Sequence, residues 1–294
     1  MSLDSHMGAE NVAFLMAEKR GYFEDAGLKV WLGSPVRPSN TVPYVVTHID
    51  ELGVVQAPQV ALARDEGLPI EAVGSVISQP TAALIWLKGS DVKTMADLEG
   101  KTIGVPGIPF QEDLLGSVLE KAGLTLDDVD VQPLGYLLVP ALLSGRVDAI
   151  FGGTWNIEGA TLEARGAEPV IKRVQSFGVP PYDELVVVAR SDRVAANPKA
   201  LRGFMSAVKR GAAAAAKNPE AALKVIEESS KPDERLTRKQ TEAELTATLP
   251  LLSQDGYMDP HQAAGLIGWM NEQGWIKQEM PVSELLTNSL PQPR

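Results

Sequence analysis

The stretch "SGRVDAIFGGTWNIEGATLEARG", Ser144–Gly166, holds an apolar run that ends in two glycines, followed at once by tryptophan, asparagine and glutamate. Asp148 stands at the start of the run, and a helical pattern comes after it and stops at Gly166. An earlier stretch, "THIDELGVVQAPQVALARDEG" (Thr47–Gly67), repeats the plan: Asp50, an apolar strand, polar residues at its end, then a helix closed by glycine. Two copies of one strand–loop–helix unit predict two similar α/β lobes, one copy in each. Ligands of open α/β sheets bind beyond the carboxyl ends of the strands. The loops of both units are therefore expected to face a shared cleft.

Outward from these units, short Val- and Ile-rich runs alternate with amphipathic patterns. The strands expected are Leu52–Val55, Glu71–Ile77, Ala82–Leu87, Thr102–Val105, Asp148–Phe151 and Leu185–Ala189. Helices are expected over Asn11–Ala26, Pro58–Glu66, Gln111–Ala122 and Ile157–Arg165. This alternation predicts parallel sheets built from right-handed crossovers. From Asn197 onward the chain reads as mostly helical. Three helix starts, Asn197-Pro198, Asn218-Pro219 and Asp259-Pro260, place a capping side chain before a proline at the first helical position. Polar and turn residues near Leu87–Lys93 mark the first boundary, and the chain is expected to return near Arg190–Asn197. The division predicted is 1–88 for the first part of lobe 1, 89–189 for lobe 2, and 190–294 for the return to lobe 1 with the C-terminal helices. Two crossings make a hinge.

Composition narrows the function. The formal net charge of −11 opposes a nucleic-acid partner, and no cluster of lysine and arginine offsets it. With no cysteine, disulfides, thiolate zinc sites and a cysteine nucleophile are excluded. The three histidines, His6, His48 and His261, show no metal-ligand spacing. No HExxH, P-loop, GxSxG or GxGxxG occurs. The chain reads as a receptor rather than an enzyme, with no cofactor and no metal. No apolar stretch approaches the roughly 20 residues of a membrane span. A polar beginning, "MSLDSHMGAEN", reads either as a cytosolic start or as a mature form from which a signal peptide has been removed.

Candidate ligand-binding residues come from the loops at strand ends. His6 precedes the first helix, which Asn11 opens, where backbone N–H groups also point. Gln56 leaves a buried strand carrying both donors and acceptors, or else caps its loop. In "GVPGIPFQEDLL", Phe110 and Gln111 come after a rigid Gly- and Pro-rich turn, with Phe110 equally readable as packing its own helix. Trp155 suits stacking on a flat ring, and Asn156 beside it could read polar edges. Glu158 fits the first turn of a helix, although it stands four residues after Thr154 and not the three of a capping box. Tyr182, Asp183 and Glu184 precede the returning strand and offer an aromatic face and two acids. None of these loops contains arginine or lysine, Arg37 being the one nearby exception. The ligand expected is thus planar and uncharged or weakly cationic.

The segments "AEKRGYFEDAGLKV", "GLPIEAVGSVISQPTAALIW", "DLEGKTIGVPGIP", "LLSGRVDAIFGGTWNIE" and "GVPPYDELVVVAR" resemble periplasmic solute-binding proteins of ABC importers. The branch they resemble is that of nitrate, sulfonate, taurine and thiamine-pyrimidine-precursor binders. The resemblance runs over nearly the whole chain from Asp4. It implies an α/β, type II periplasmic-binding-protein fold: two lobes, a hinge and a ligand cleft that closes on its ligand. It also implies a small-molecule ligand, an ABC permease as partner, a monomeric state, and a periplasmic or cell-surface location. In the pyrimidine-precursor members, aromatic side chains sandwich a flat heterocycle and an acid reads its amino group. The counterparts here are Trp155 and Tyr182 for stacking and Glu184 or Asp183 for the acid. Where those members often carry a tryptophan after the first strand, this chain has Ser5-His6, which leaves room for another ring, such as a flavin or purine. Anions of the sulfonate or nitrate type are a further alternative. An enzyme class of the same fold makes the thiamine pyrimidine from its own histidine and pyridoxal phosphate, but it carries a cysteine-rich motif that is absent here. A cytosolic sensor on the same fold is the remaining alternative.

Overall fold

A computed structural model describes residues 1–232 and 235–289. The chain divides into two compact units. The first comprises Met1–Val36, Asn40–Pro80 and the chain from Pro180 onward; the second comprises Arg37–Ser39 and Thr81–Val179. Among the described residues are eight strands: β1 (Leu52–Gln56), β2 (Ile70–Ile77), β3 (Ala82–Leu87), β4 (Thr102–Val105), β5 (Asp130–Pro133), β6 (Ala149–Thr154), β7 (Pro169–Arg173) and β8 (Leu185–Arg190).

The first unit holds a three-stranded sheet in the order β1-β8-β2, with β8 antiparallel to both neighbours. The purely parallel sheet expected from strand–helix alternation is corrected here. β8 comes from the returning segment and enters from the end at which β1 and β2 finish. Gln56, the last residue of β1, and Ile77, the last of β2, therefore both lie opposite Leu185, the first of β8. One sheet edge collects two strand ends and one strand start. All six residues of β8 except Arg190 are buried, as befits a central strand covered on both faces.

The helix expected over Asn11–Ala26 is two helices, Val12–Lys19 and Tyr22–Asp25. Gly21 breaks it with a φ of 70°, which a residue with a Cβ adopts only at a cost. Helix Pro198–Lys217 packs so closely on Val12–Lys19 that any Cβ at Gly211 would run into the Ala13 carbonyl oxygen. Phe14, Phe23 and Phe204 fill the contact, with the Phe23 and Phe204 rings stacked 5.2 Å apart. Of the three expected helix caps, Asn218 accepts from the Ala221 N–H and Asp259 from the His261 N–H. Asn197 makes no such bond: it joins two helices, and its backbone already bends between Ser191–Ala196 and Pro198–Lys217.

The second unit holds a five-stranded sheet in the order β5-β4-β6-β3-β7. β4 runs parallel to β5 and β6, whereas β3 runs antiparallel to β6 and β7. The two edge strands escape a search for apolar runs because they are short and carry polar or charged residues, as exposed edges usually do. Ile85, Leu138, Leu142, Ile150 and Leu162 belong to the buried core of this sheet and its helices. Among the described residues no helix is long and apolar enough to cross a membrane.

Candidate ligand-binding site

In the second unit the end of β6 is shaped by its glycines. Gly153 pairs with Ala83 and Phe151 pairs with Leu84, so Gly152 is the extra residue of a β-bulge. It adopts φ 75°, and a Cβ there would approach the Gln111 side-chain oxygen to 2.6 Å. Bulges bend a strand and re-aim the chain beyond it, often beside functional sites. Here the chain passes from β6 into a π-helical turn, Trp155–Gly159, and then into helix Ala160–Ala164. Glu158 Oε2 accepts from the Thr154 N–H at 2.6 Å and from its hydroxyl at 3.3 Å. The wider π-turn carries an extra residue, so the fourth residue takes the place that the third holds in a capping box. Glu158 is accordingly a helix-start residue, and its irregular spacing from Thr154 is the spacing of this turn.

Trp155 is held by its backbone N–H, which donates to Thr81 O at 3.0 Å, and its ring rests on the core of the unit. The Arg173 guanidinium lies 3.8 Å from the ring centroid. Register explains this: β3 lies between β6 and β7, with Ala82 opposite Thr154 and Ala83 opposite Arg173, so both strands end beside the start of β3. None of the candidate loops contains arginine or lysine, and Arg173 brings a cation to Trp155 from outside them. It lies on β7, a strand too polar to stand out among the apolar runs; a charged pair, Lys172-Arg173, at the end of a Pro-Val-Ile run is the available signal. Asn156 is fully buried in the π-turn. Phe110 and Gln111 are 1% exposed on the inner face of helix Pro109–Glu120, and Gln111 Nε2 donates to Gly152 O at 3.4 Å. Phe110 is thus a buried residue of the helix's first turn, while Gln111 reaches the bulge.

In the first unit, Gln56 and Glu184 meet on the sheet edge where β1 and β2 end and β8 begins. Gln56 Nε2 donates to Glu184 Oε1 at 2.6 Å, and Glu184 is 1% exposed. Gln56 also opens helix Ala57–Asp65 in a capping box with Gln59, whose Oε1 accepts the Gln56 N–H at 3.1 Å. Tyr182 is 2% exposed and lines a small internal cavity with Ala57, Val60, Val186, Met258 and Leu266. Burial pushes its phenol well above its ordinary pKa, and the Glu184 carboxylate reinforces the shift. Asp183 accepts from the Ser75 hydroxyl at 2.6 Å. Burial raises its pKa to about 6, with Asp259 and Asp255 adding to the shift and Ser75 opposing it.

The first loop is tied together by Asn11, which is fully buried. Its Nδ2 donates to Ser5 Oγ at 3.2 Å and to His6 O at 3.0 Å. The regular helix begins only at Val12, and the Asn11 side chain turns back onto the loop instead of capping it. His6 is half-buried in that loop. Asp4, absent from the sequence-derived set, lies against Asn11 and Ser5; burial raises its pKa and those hydrogen bonds oppose the rise. A single aspartate after a short strand carries no signal to single it out. The structure therefore groups the candidate residues into three polar sets: Trp155, Asn156 and Gln111 in the second unit, and Gln56–Glu184 and Asn11–His6 in the first. Among the described residues no group of His, Asp and Glu has the geometry of a metal site.

The sequence profile of the family described as NMT1/THI5 like matches residues 9–222. A "Putative thiamine biosynthesis protein" of Haemophilus influenzae is 30% identical over 96% of this chain and 89% of its own length. The formylaminopyrimidine-binding protein of Halalkalibacterium halodurans is 29% identical over 97% of this chain and 88% of its own. A 4-amino-5-hydroxymethyl-2-methylpyrimidine phosphate synthase of Schizosaccharomyces pombe is 24% identical over 67% of this chain and 60% of its own. Among solved structures, the periplasmic aliphatic sulphonate binding protein of Escherichia coli superposes with a TM-score of 0.74 at 14% identity. That match covers 99% of this chain and 92% of the other, so the periplasmic-binding-protein fold is shared.

Proposed function

The chain belongs to the NMT1/THI5-like family, and from that premise we propose that it is a non-catalytic receptor for a small planar heterocycle, a thiamine pyrimidine precursor. The formylaminopyrimidine-binding relative supports the ligand class. The observation that carries the reading is Trp155: an indole at the end of β6, anchored through Thr81 and presented by a bulge and a π-turn. A flat ring stacks on such a platform. In the second unit Phe110, Gln111 and Asn156 enter the proposal as residues that support Trp155; in the first, His6, Asn11, Gln56, Tyr182, Asp183 and Glu184 are candidate binding residues of that unit. The receptor hands its ligand to an ABC permease and works outside the cytoplasm.

A thermal-shift panel of pyrimidines, purines, flavins, sulfonates and nitrate tests this. Stabilisation by pyrimidines is expected, and stabilisation by ring-free anions alone overturns the heterocycle reading. The second reading is a synthase, favoured by the synthases among the relatives. That enzyme class carries a cysteine-rich motif, and this chain has no cysteine. Incubation with pyridoxal phosphate separates the two: a synthase consumes it with formation of a pyrimidine product, and a receptor leaves it unchanged.

A further inference from the structure

Arg173 contributes a cation at the place where the proposed ring is to stack, and two observations say what that cation is for. Its guanidinium lies against the Trp155 ring at 3.8 Å at the exposed end of β7. The Trp155 indole Nε1–H is buried and donates to no acceptor among the described residues. Buried N–H groups are normally satisfied, so an orphan one at a candidate site marks the place of an absent acceptor. The nearby carboxylate is engaged elsewhere: Glu158 Oε2 takes the N–H and hydroxyl of Thr154. One buried donor of the stacked pair thus lacks an acceptor, and over the same ring lies a solvent-exposed guanidinium, whose planar fork matches carboxylate and phosphate oxygens.

We propose that Arg173 is a specificity-determining residue that makes this site prefer planar heterocycles carrying an anionic oxygen substituent, a phosphate or carboxylate, over the neutral ring. The proposal rests on the reading of Trp155 as the stacking platform. The indole and guanidinium together hold the ring, while the guanidinium N–H groups and the indole N–H face acceptors on its substituent. It replaces the expectation of an uncharged or weakly cationic ligand, which came from loops without arginine. Arg173 comes from the end of an edge strand, not from one of those loops.

The test uses a matched pair, 4-amino-5-hydroxymethyl-2-methylpyrimidine and its phosphate monoester, with inorganic phosphate as a third probe, titrated calorimetrically into the full chain. For the unsubstituted protein the monoester is expected to bind about tenfold or more tighter than the neutral ring, the scale of one charge-assisted hydrogen bond. Arg173→Gln should abolish that preference, bringing the ratio of monoester to neutral-ring affinity to about one. Arg173→Lys, which keeps the charge but not the planar fork, should retain part of the preference. Equal affinity for both pyrimidines, or a preference that survives in Arg173→Gln, overturns the proposal while leaving the pyrimidine receptor intact. Inorganic phosphate binding as tightly as the monoester overturns the joint requirement for ring and anion. Binding of neither pyrimidine overturns both this proposal and the reading beneath it.

Discussion

Glu158 closes back on Thr154, its Oε2 receiving the Thr154 N–H at 2.6 Å across a π-helical turn. The turn holds the Trp155 backbone between a capped helix start and the Thr81 carbonyl. Glu158→Ala removes the acceptor of that N–H and is expected to cost about 1 kcal/mol of stability, the usual size of a lost helix-start bond. Urea denaturation reads this. An unchanged midpoint would mean that the bond holds nothing in place.

Trp155→Ala is expected to weaken binding of the pyrimidine ligand by roughly 1–3 kcal/mol, the range of one aromatic stack on a base. Calorimetric titration of the folded variant is the measurement. Unchanged affinity removes Trp155 from the site.

At Gly152 both the positive φ and the proximity of Gln111 disfavour a side chain. Gly152→Ala should destabilise the protein by about 1–2 kcal/mol through left-handed strain alone. A ligand affinity that falls along with stability would tie the bulge to the presentation of Trp155. Stability that falls with affinity intact would confine the bulge to a folding role.

Gln56 supplies one donor to the buried Glu184 carboxylate. Gln56→Leu withdraws that donor and is expected to cost about 1–3 kcal/mol, because a buried carboxylate oxygen loses its partner. Gln56→Glu should be worse, since it sets a second carboxylate against the first. A neutral outcome for both would show the pair to be well solvated.

Asp183 carries a raised pKa of about 6, set first by burial and then by Asp259 and Asp255. The folded state holds this proton more tightly than the unfolded chain does. The contribution to stability is therefore full below about pH 4, is lost as pH rises through 6, and is level above that. Its size is at most about 3 kcal/mol. Asp183→Asn keeps an acceptor for Ser75 and removes the titration. The variant's stability relative to the unsubstituted protein should rise between pH 4 and 7, read from urea midpoints at each pH. A difference that stays flat across that window contradicts the assignment.

Much of the fold is legible because buried strands declare themselves. Ala82–Leu87 and Thr102–Val105 occur as read, since uninterrupted apolar runs bounded by turn residues have few other conformations. β5 and β7 are not legible, because half-exposed edges are neither apolar nor strictly alternating. Their absence from the reading hides Arg173. Glu158 reads as a helix-start residue from the sequence, but its offset makes sense only with the π-turn in view. Tyr182, read as a stacking surface, is 2% exposed and lines a cavity with Val60, Val186 and Leu266, an environment set by residues distant in the chain.

By itself, the sequence determined the class of the chain, the positions of its buried strands, the glycine-led exit of β6 and the presence of Trp155 at that exit. These depend on local periodicity and local backbone freedom, which neighbouring residues write directly. Tertiary structure alone decided strand direction, the Gln56–Glu184 pair and the Arg173–Trp155 stack. Each of these depends on register between segments far apart in the chain: β8 runs against β1 and β2, and β3 aligns the ends of β6 and β7. Register is fixed by which faces the whole sheet can bury, and no single segment carries that information.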